Sequence, residues 1–478
     1  MRWIQLPIIG LLLCCISSCD FMRPKTELER VLSKGTLVVL TRNGATTYYE
    51  GPDGKPVGFE YELASRFADH LGVKLKMVVP ASLTDILYQI KHGRADLAAA
   101  GLTVTDEREK HVRFGPRYHR ITQQLVYRRG AAAPAKIEDI IGGELLVVAG
   151  SSHVERLREL KQKHPELTWE ETKEMENEEL LTAVWEEQIE YTVADSNEVA
   201  LTHRYYPELE IAFDLTEEQP LAWAFPISTD DSLYSEAVKF FNDLIDTGEL
   251  ERLVDRYYGH IDDFDYVGTR NFMLHIQTRL PRYQQLFQQA AEATGLDWRL
   301  LAAIGYQESH WNPNAISPTG VRGIMMLTLD TARHLGISNR LDPAQSIEAA
   351  ARYMRDIRNR IPERIEEPDR TWLALAAYNI GTGHLEDARR ITQRQGYDPD
   401  LWIHVKEHLP LLRKMKWYST TKHGYARGHE AVHYVDNVRN YYDLLVRISE
   451  RTDLYEFFPR DIIPYHDADD TGNLQRAI

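Results

Sequence analysis

The chain has 478 residues, 43% apolar and 27% charged, ordinary values for a globular protein with room for roughly three folding units. Its formal net charge of -16 is spread along the chain and leaves no basic face of the kind a nucleic-acid binder needs. All three cysteines precede residue 20, so the body of the chain folds without a disulfide.

Arg2 precedes an apolar stretch from Ile4 to Ile16 that is too short for a comfortable membrane span and suits a secretory signal. Ile16-Ser17-Ser18-Cys19 places small residues before a cysteine and resembles the lipobox of bacterial lipoproteins. That resemblance implies a signal over 1–19, removed to leave Cys19 as a lipid-bearing N-terminus on the membrane, with a linker over 20–34. The alternative is an ordinary cleaved signal with an incidental cysteine. No later segment is apolar for about 20 residues, so the rest of the chain reads as a tethered body outside the bilayer.

From Gly35 the hydrophobic period alternates. TLVVL (36–40) reads as a buried strand, EYELASRFADHLG (60–72) as an amphipathic helix stopped by Gly72, and VKLKMVV (73–79) as a strand. LTDILYQIKHG (83–93) is a second helix before ADLAAAGLTVT (95–105), and the alternation predicts a parallel α/β sheet. A second unit begins at ELLVVAGSSHVERLREL (144–160), where Gly150-Ser151-Ser152 leads into a helix whose free N–H groups suit an anion. The acidic run EETKEMENEE (170–179) reads as a solvated helix face.

Residues 35 to 260 resemble the bacterial periplasmic solute-binding proteins for amino acids, most clearly at ADLAAAGLTVTDEREK (95–110) and VADSNEVAL (193–201). The resemblance implies an α/β unit of two lobes over 35–267, one from about 35–127 plus 221–267 and the other 128–220. It implies that Thr103 and Arg108 grip a ligand's α-carboxylate, for which the planar guanidinium fork is suited, while Asp195 holds its α-amino group and Ser151 sits at the anion-binding turn. The ligand is then an amino acid or a cell-wall peptide. TRNGATTYYEG (41–51) departs from the pattern, lacking a clear match to the aromatic that often packs on the ligand.

DDFDYVGTRNF (262–272) breaks the alternation, and from Pro281 the chain turns helical, which sets a second domain at 268–455 and a tail at 456–478. RYQQLFQQAAEATG (282–295) predicts a helix with Pro281 in its first turn and Gly295 after its end, and Asp297 caps the next, WRLLAAIGYQES. On that helix Leu301, Ile304, Gly305 and Glu308 share one face, so the acid points inward. The following 21 residues contain no Asp or Glu. Desolvation and the negative end of the helix dipole both raise the pKa of an acid so placed, as a general acid near neutral pH requires.

ESHWNPNAISPTGVRGIMMLT (308–328), AAYNIGTG (376–383) and HYVDNV (433–438) together resemble the lysozyme-like lytic transglycosylases that cleave peptidoglycan. With the front half, the whole resembles membrane-bound lytic transglycosylases, which places it on the periplasmic face of the outer membrane; Asp20 keeps inner-membrane retention open. The resemblance implies Glu308 as the single catalytic acid. It implies that Ser309 and Ser317 orient the acid and the substrate's acetamido group, that Tyr378 and Asn379 line the groove, and that Tyr434 bonds near Glu308. Met326 stands where the wider family has a glutamine. The partner is then a peptidoglycan glycan strand, cleaved between MurNAc and GlcNAc without water to leave 1,6-anhydro ends. No nucleic acid, cofactor or metal enters such chemistry. His429-Glu430-Ala431-Val432-His433 reads HExxH, a zinc-protease signature, but no third ligand is evident. Two other readings stay open: a ligand-binding protein with an inactive sugar-binding module, and a hydrolytic muramidase.

Overall fold

A computed structural model describes residues 24–50, 55–260, 266–317 and 321–450. The signal, Cys19 and the 456–478 tail lie outside the described residues.

The front unit is α/β and has two lobes. Its first sheet runs, edge to edge, Lys74–Val78, Thr36–Leu40, Leu97–Ala98, Gln219–Phe225, Arg113–Ile121. The first three are parallel, as the alternation predicts, and the last two are antiparallel because the chain leaves for the second lobe after one and returns along the other. Gln123–Arg128 lies between Thr192–Asp195 and Leu209–Asp214 in the second sheet. The lobes therefore divide at Thr122 rather than after 127, because backbone pairing commits that strand to the second sheet. The helix Phe59–His70 lays Leu63, Ala64, Phe67 and Ala68 on the first sheet, and Ser152–Lys163 does the same in the second lobe with Val154 and Leu157.

Further expectations are corrected. Residues 27–34 are not linker but a helix, Glu27–Lys34, opened by a capping box in which Thr26 and Glu29 exchange hydrogen bonds. Val31 buries into the first-lobe core, and the free N–H of Leu28 donates to Ser232 at 3.0 Å. The acidic run 170–179 is not one helix face: Glu170–Thr172 is a strand and the helix begins at Asn177, so Glu176 sits at its cap.

The rear unit is helical. Tyr266–Thr278 brings Phe272, Met273 and Ile276 into its core, which also holds Phe287, Trp311 and Trp402. The helix predicted over 282–295 starts later, at Gln284, because Pro281 belongs to a separate 3-10 turn, Leu280–Arg282, and Tyr283 breaks the regular geometry with φ -121° and ψ -11°. Gly295, at φ 72°, ends it as expected. The helix Trp298–Ser309 packs between its neighbours and the long helix Gly428–Glu450, which also contacts Asp369–Ile380. Gly428 is required there: a Cβ would lie 1.8 Å from the Leu409 carbonyl oxygen.

Candidate active site and the cleft of the front unit

Asp297 starts the Glu308 helix by accepting from Arg299 N at 2.8 Å, and its second oxygen accepts from the Tyr442 hydroxyl at 3.0 Å, tying the helix to Gly428–Glu450. At the other end His310 and Trp311 take left-handed backbone, φ 51° and 55°, and the Trp311 indole donates to the Ala302 carbonyl at 2.8 Å. The chain thus turns sharply away just after Glu308 and leaves its carboxyl at the helix end.

The Glu308 carboxylate accepts from the Tyr434 hydroxyl at 2.8 Å. Burial pushes its pKa up to about 7, and the Tyr434 bond, which favours the charged form, only partly opposes this. No second carboxylate contributes among the described residues. The Tyr378 ring stacks near Tyr434, centroids 6.4 Å apart, and its buried hydroxyl has no hydrogen-bond partner. Asn379 is exposed beside it at the end of Asp369–Ile380. One half-buried acid, proton-bearing near neutral pH, can give a proton to a leaving oxygen and take one back.

Ser309 has a different environment from the one implied. Its hydroxyl donates to the Ile324 carbonyl at 2.7 Å and accepts from Asn312 N at 3.1 Å, fastening the loop that follows to the helix end. Ser317 accepts from Val321 N at 3.1 Å and closes a turn whose tip, 318–320, lies outside the described residues. The loop returns through Gly323, at φ 90°, where a Cβ would meet the Arg340 carbonyl oxygen at 2.0 Å. Met326 follows with φ 44°, its N–H donating to the Gly323 carbonyl at 3.0 Å. His429 and His433 lie one turn apart on the long helix, ring centroids 6.5 Å apart, and among the described residues no group of three or more His, Cys, Asp or Glu side chains is placed to hold a metal ion.

In the front unit Thr103, Arg108, Ser151 and Asp195 all come to the cleft between the lobes, and all are buried. Their polar groups meet partners from the protein itself. Arg108, from the first lobe, donates to Glu155 at 3.0 Å and to the Gly150 carbonyl at 3.2 Å, both from the second. Thr103 accepts from the Ser152 hydroxyl at 3.2 Å, Ser151 caps its helix through Val154 N at 3.4 Å, and Asp195 meets His153 Nε2 at 3.0 Å. Arg42 makes a second bridge between the lobes, to Glu198 at 3.1 Å and Glu176 at 3.4 Å.

The chain matches the family described as Transglycosylase SLT domain over residues 285–401, and that described as Bacterial extracellular solute-binding proteins, family 3, over 37–260. It is 55% identical over 428 residues to Membrane-bound lytic murein transglycosylase F 1 of Alkalilimnicola ehrlichii, covering 89% of this chain and 86% of that one. To Membrane-bound lytic murein transglycosylase F of Saccharophagus degradans it is 51% identical over 423 residues, covering 88% and 84%. The chain belongs to the membrane-bound lytic murein transglycosylase F family. Its front half is also similar to an amino acid ABC transporter substrate-binding protein from Streptococcus pneumoniae solved bound to L-arginine, at 26% identity and a TM-score of 0.44, covering 48% of this chain and 98% of that one.

A family 3 solute-binding unit thus precedes a transglycosylase unit, and HYVDNV, which supplies Tyr434, lies beyond the matched SLT span. Family relatives are named membrane-bound; among the described residues no helix is long and apolar enough to cross a membrane. Sequence reasoning missed Arg42, Glu155 and Glu198. Arg42 carried a signal, since it follows the buried strand Thr36–Leu40 by two residues, at the carboxyl end of a parallel strand where α/β clefts form. Glu155 and Glu198 carried none: each is one acid within a short helix, with no motif around it.

Proposed function

We propose that this transglycosylase works through Glu308 alone, cutting the β-1,4 bond between MurNAc and GlcNAc. Glu308 donates its proton to the glycosidic oxygen, the substrate's acetamido group stabilises the cation developing at carbon one, and Glu308 then takes the proton of the sugar's 6-hydroxyl as that oxygen closes the ring. The new end is a 1,6-anhydro-MurNAc. The observation that carries this reading is the carboxyl pushed up to about 7 with, among the described residues, no second acid contributing to it, since an ordinary glycosidase needs a nucleophile or base as well. Tyr434 holds the carboxyl, Tyr378 and Asn379 line the groove, and Ser317 and Met326 border the acetamido side, with Ser309 fixing the loop that carries them. Glu308→Gln keeps the size and removes the proton; lysis of purified sacculi should fall about 10²- to 10⁴-fold. Near-normal lysis by that variant refutes the assignment, and products without anhydro ends turn it to a hydrolase.

The front unit, in this reading, binds an amino acid or wall peptide through Thr103, Arg108, Ser151 and Asp195, closing its lobes and shifting the activity at Glu308. The support is that these residues come from both lobes and meet at one cleft. The chain is held at the periplasmic face of the outer membrane by acyl chains on Cys19, supported by its lipobox-like sequence. Cys19→Ala protein still firmly membrane-bound after fractionation rules this anchor out.

A further inference from the structure

Residues 408–429 contain no Asp or Glu, in a chain that carries 72 of them among 478 residues. The stretch holds five cations, Arg413, Lys414, Lys416, Lys422 and Arg427, against a formal net charge of -16 for the whole. All five are exposed. A charge run of this kind is ordinarily a solvated face, and two observations set this one apart.

The first is a firm seat on the rear unit. Both oxygens of Asp387, a buried carboxylate on the helix Thr382–Arg394, accept backbone N–H groups from the stretch, Lys422 at 3.1 Å and His423 at 2.7 Å. Ala426 N donates to the Leu412 carbonyl at 3.2 Å, and the Tyr418 and Tyr425 rings meet edge to face, centroids 5.7 Å apart, so the stretch closes on itself. That seat borders the proposed groove. Thr382–Arg394 starts three residues after Asn379, and a Cβ at Gly383 would lie 2.8 Å from the His423 ring. At the other end, Gly428 opens the helix that carries Tyr434.

The second observation is that the charge is uncommitted. Among the described residues Arg413, Lys414 and Lys422 make no ion pair, while Lys416 lies over the Trp417 ring at 5.4 Å and Arg427 pairs with Glu430 at 3.2 Å. Of the acids beside the stretch, Asp387 is held by the two N–H groups and Glu430 by Arg427. Arg394 adds a further cation, donating to the Thr420 hydroxyl at 3.2 Å. Positive charge without an internal partner at the edge of a groove raises the local concentration of anions.

The substrate carries such anions. A murein glycan strand is neutral along its sugars, and its carboxylates lie on the peptides that hang from MurNAc. We propose that Arg413, Lys414 and Lys422 form a docking rim for those peptide carboxylates, so that the chain prefers strands that still carry their peptides. This rests on the reading that the strand lies in the groove at Glu308. Continuity with that groove favours a wall peptide over an anionic lipid surface. The rim acts on affinity and not on the bond being cut, since none of the three cations contributes to the Glu308 carboxyl.

Steady-state cleavage of peptide-bearing glycan strands, and of the same strands stripped by an amidase, tests this on the unmodified full chain and on a variant carrying Arg413→Gln, Lys414→Gln and Lys422→Gln, verified as folded by circular dichroism. The unmodified chain should show a KM at least about fivefold lower on peptide-bearing strands at low salt, with kcat the same on both, and the triple variant should bring the two KM values within about twofold. Salt at about 0.5 M should do the same to the unmodified chain, an arm that needs no variant. Equal KM values in the unmodified chain, or an equal loss by the variant on both substrates, overturn the peptide rim. A preference that the variant keeps overturns it too, and if the variant then loses binding to phosphatidylglycerol vesicles, the cations serve a lipid surface instead. Near-normal cleavage by Glu308→Gln is read separately and overturns the groove reading alone.

Discussion

In the proposed mechanism the proton on Glu308 sets the pH at which cleavage runs. With its pKa near 7, the acid form required to protonate a leaving oxygen is depleted as pH rises through neutrality, so cleavage should fall along an alkaline limb centred at about 7. The Tyr434 hydroxyl favours the charged form, so Tyr434→Phe should move that limb to higher pH while lowering the rate at its plateau. A pH profile of sacculus lysis with the limb unmoved would show that the bond does not tune the acid. The same raised pKa affects stability: between about 4.5 and 7 the unfolded chain has released this proton and the folded chain has not, so stability falls across that window and is level above it. Glu308→Gln escapes the loss, and its advantage over the unmodified chain should grow from pH 4 to pH 8 by on the order of 3 kcal/mol in urea unfolding. Glu308 was legible in the sequence because a lone acid on an apolar helical face has few other reasons to be there. The work of Ser309 was not, since its partner is a backbone carbonyl 15 residues on, and main-chain contacts of that range leave no residue pattern.

At the scale of elements, the proposed site is built from the ends of Trp298–Ser309 and Asp369–Ile380, the long helix Gly428–Glu450 and a loop, and the loop depends on one glycine. Gly323 combines a φ of 90° with a carbonyl oxygen 2.0 Å from where a Cβ would sit, so any side chain there must push Arg340 away or change the backbone. Gly323→Ala should cost more than about 1 kcal/mol in thermal unfolding and should reduce lysis as well, because Met326 and the Ile324 carbonyl that holds Ser309 move with the turn. Unchanged activity in a destabilised variant would mean that the loop does not position the site. Elements defined by local chemistry were readable: the helix stop at Gly295 and the cap at Asp297 stand as predicted. The helix Glu27–Lys34 had a readable capping box, Thr26 to Glu29, that its short length between a signal and a strand concealed. The placement of Gln123–Arg128 was hidden for a physical reason. A buried strand looks the same in either lobe, and only its pairing with Thr192–Asp195 assigns it to the second.

Over the whole molecule, the long helix Gly428–Glu450 joins the two units, since it holds Tyr434 against Glu308 and, one to four turns further on, docks against the front unit. Arg439 donates to Asp255 at 3.2 Å and to its backbone carbonyl at 2.8 Å, and Lys406 adds a second cation to the same carboxylate. Asn440 donates to the His260 carbonyl at 2.6 Å, and Asp443 meets His260 at 2.7 Å and Arg204 at 3.0 Å. None of these pairings was legible, because charges on separate units announce a partner only once the units are docked. Asp255 is 6% exposed and Arg439 1%, so solvent screens the pair little and its loss should be felt in full. Burial pushes the Asp255 carboxyl up, and Arg439 and Lys406 more than offset it, holding it below the usual range. A depressed folded-state pKa contributes stability that is present above the unfolded value and is lost as pH falls through the folded one. Among the described residues, Asp255→Asn leaves Arg439 with Asp436, at 3.9 Å, as its ion-pair partner, so the expected cost at pH 7 is about 3 kcal/mol, the low end for breaking a buried pair. Urea unfolding at pH 7 and at pH 3 checks it. The variant should fall short of the unmodified chain at pH 7 and by less at pH 3, below the ordinary carboxylate value, where the unfolded chain binds a proton that the folded Asp255 resists. A deficit of the same size at both pH values would assign the cost to packing at the junction and not to the ion pair.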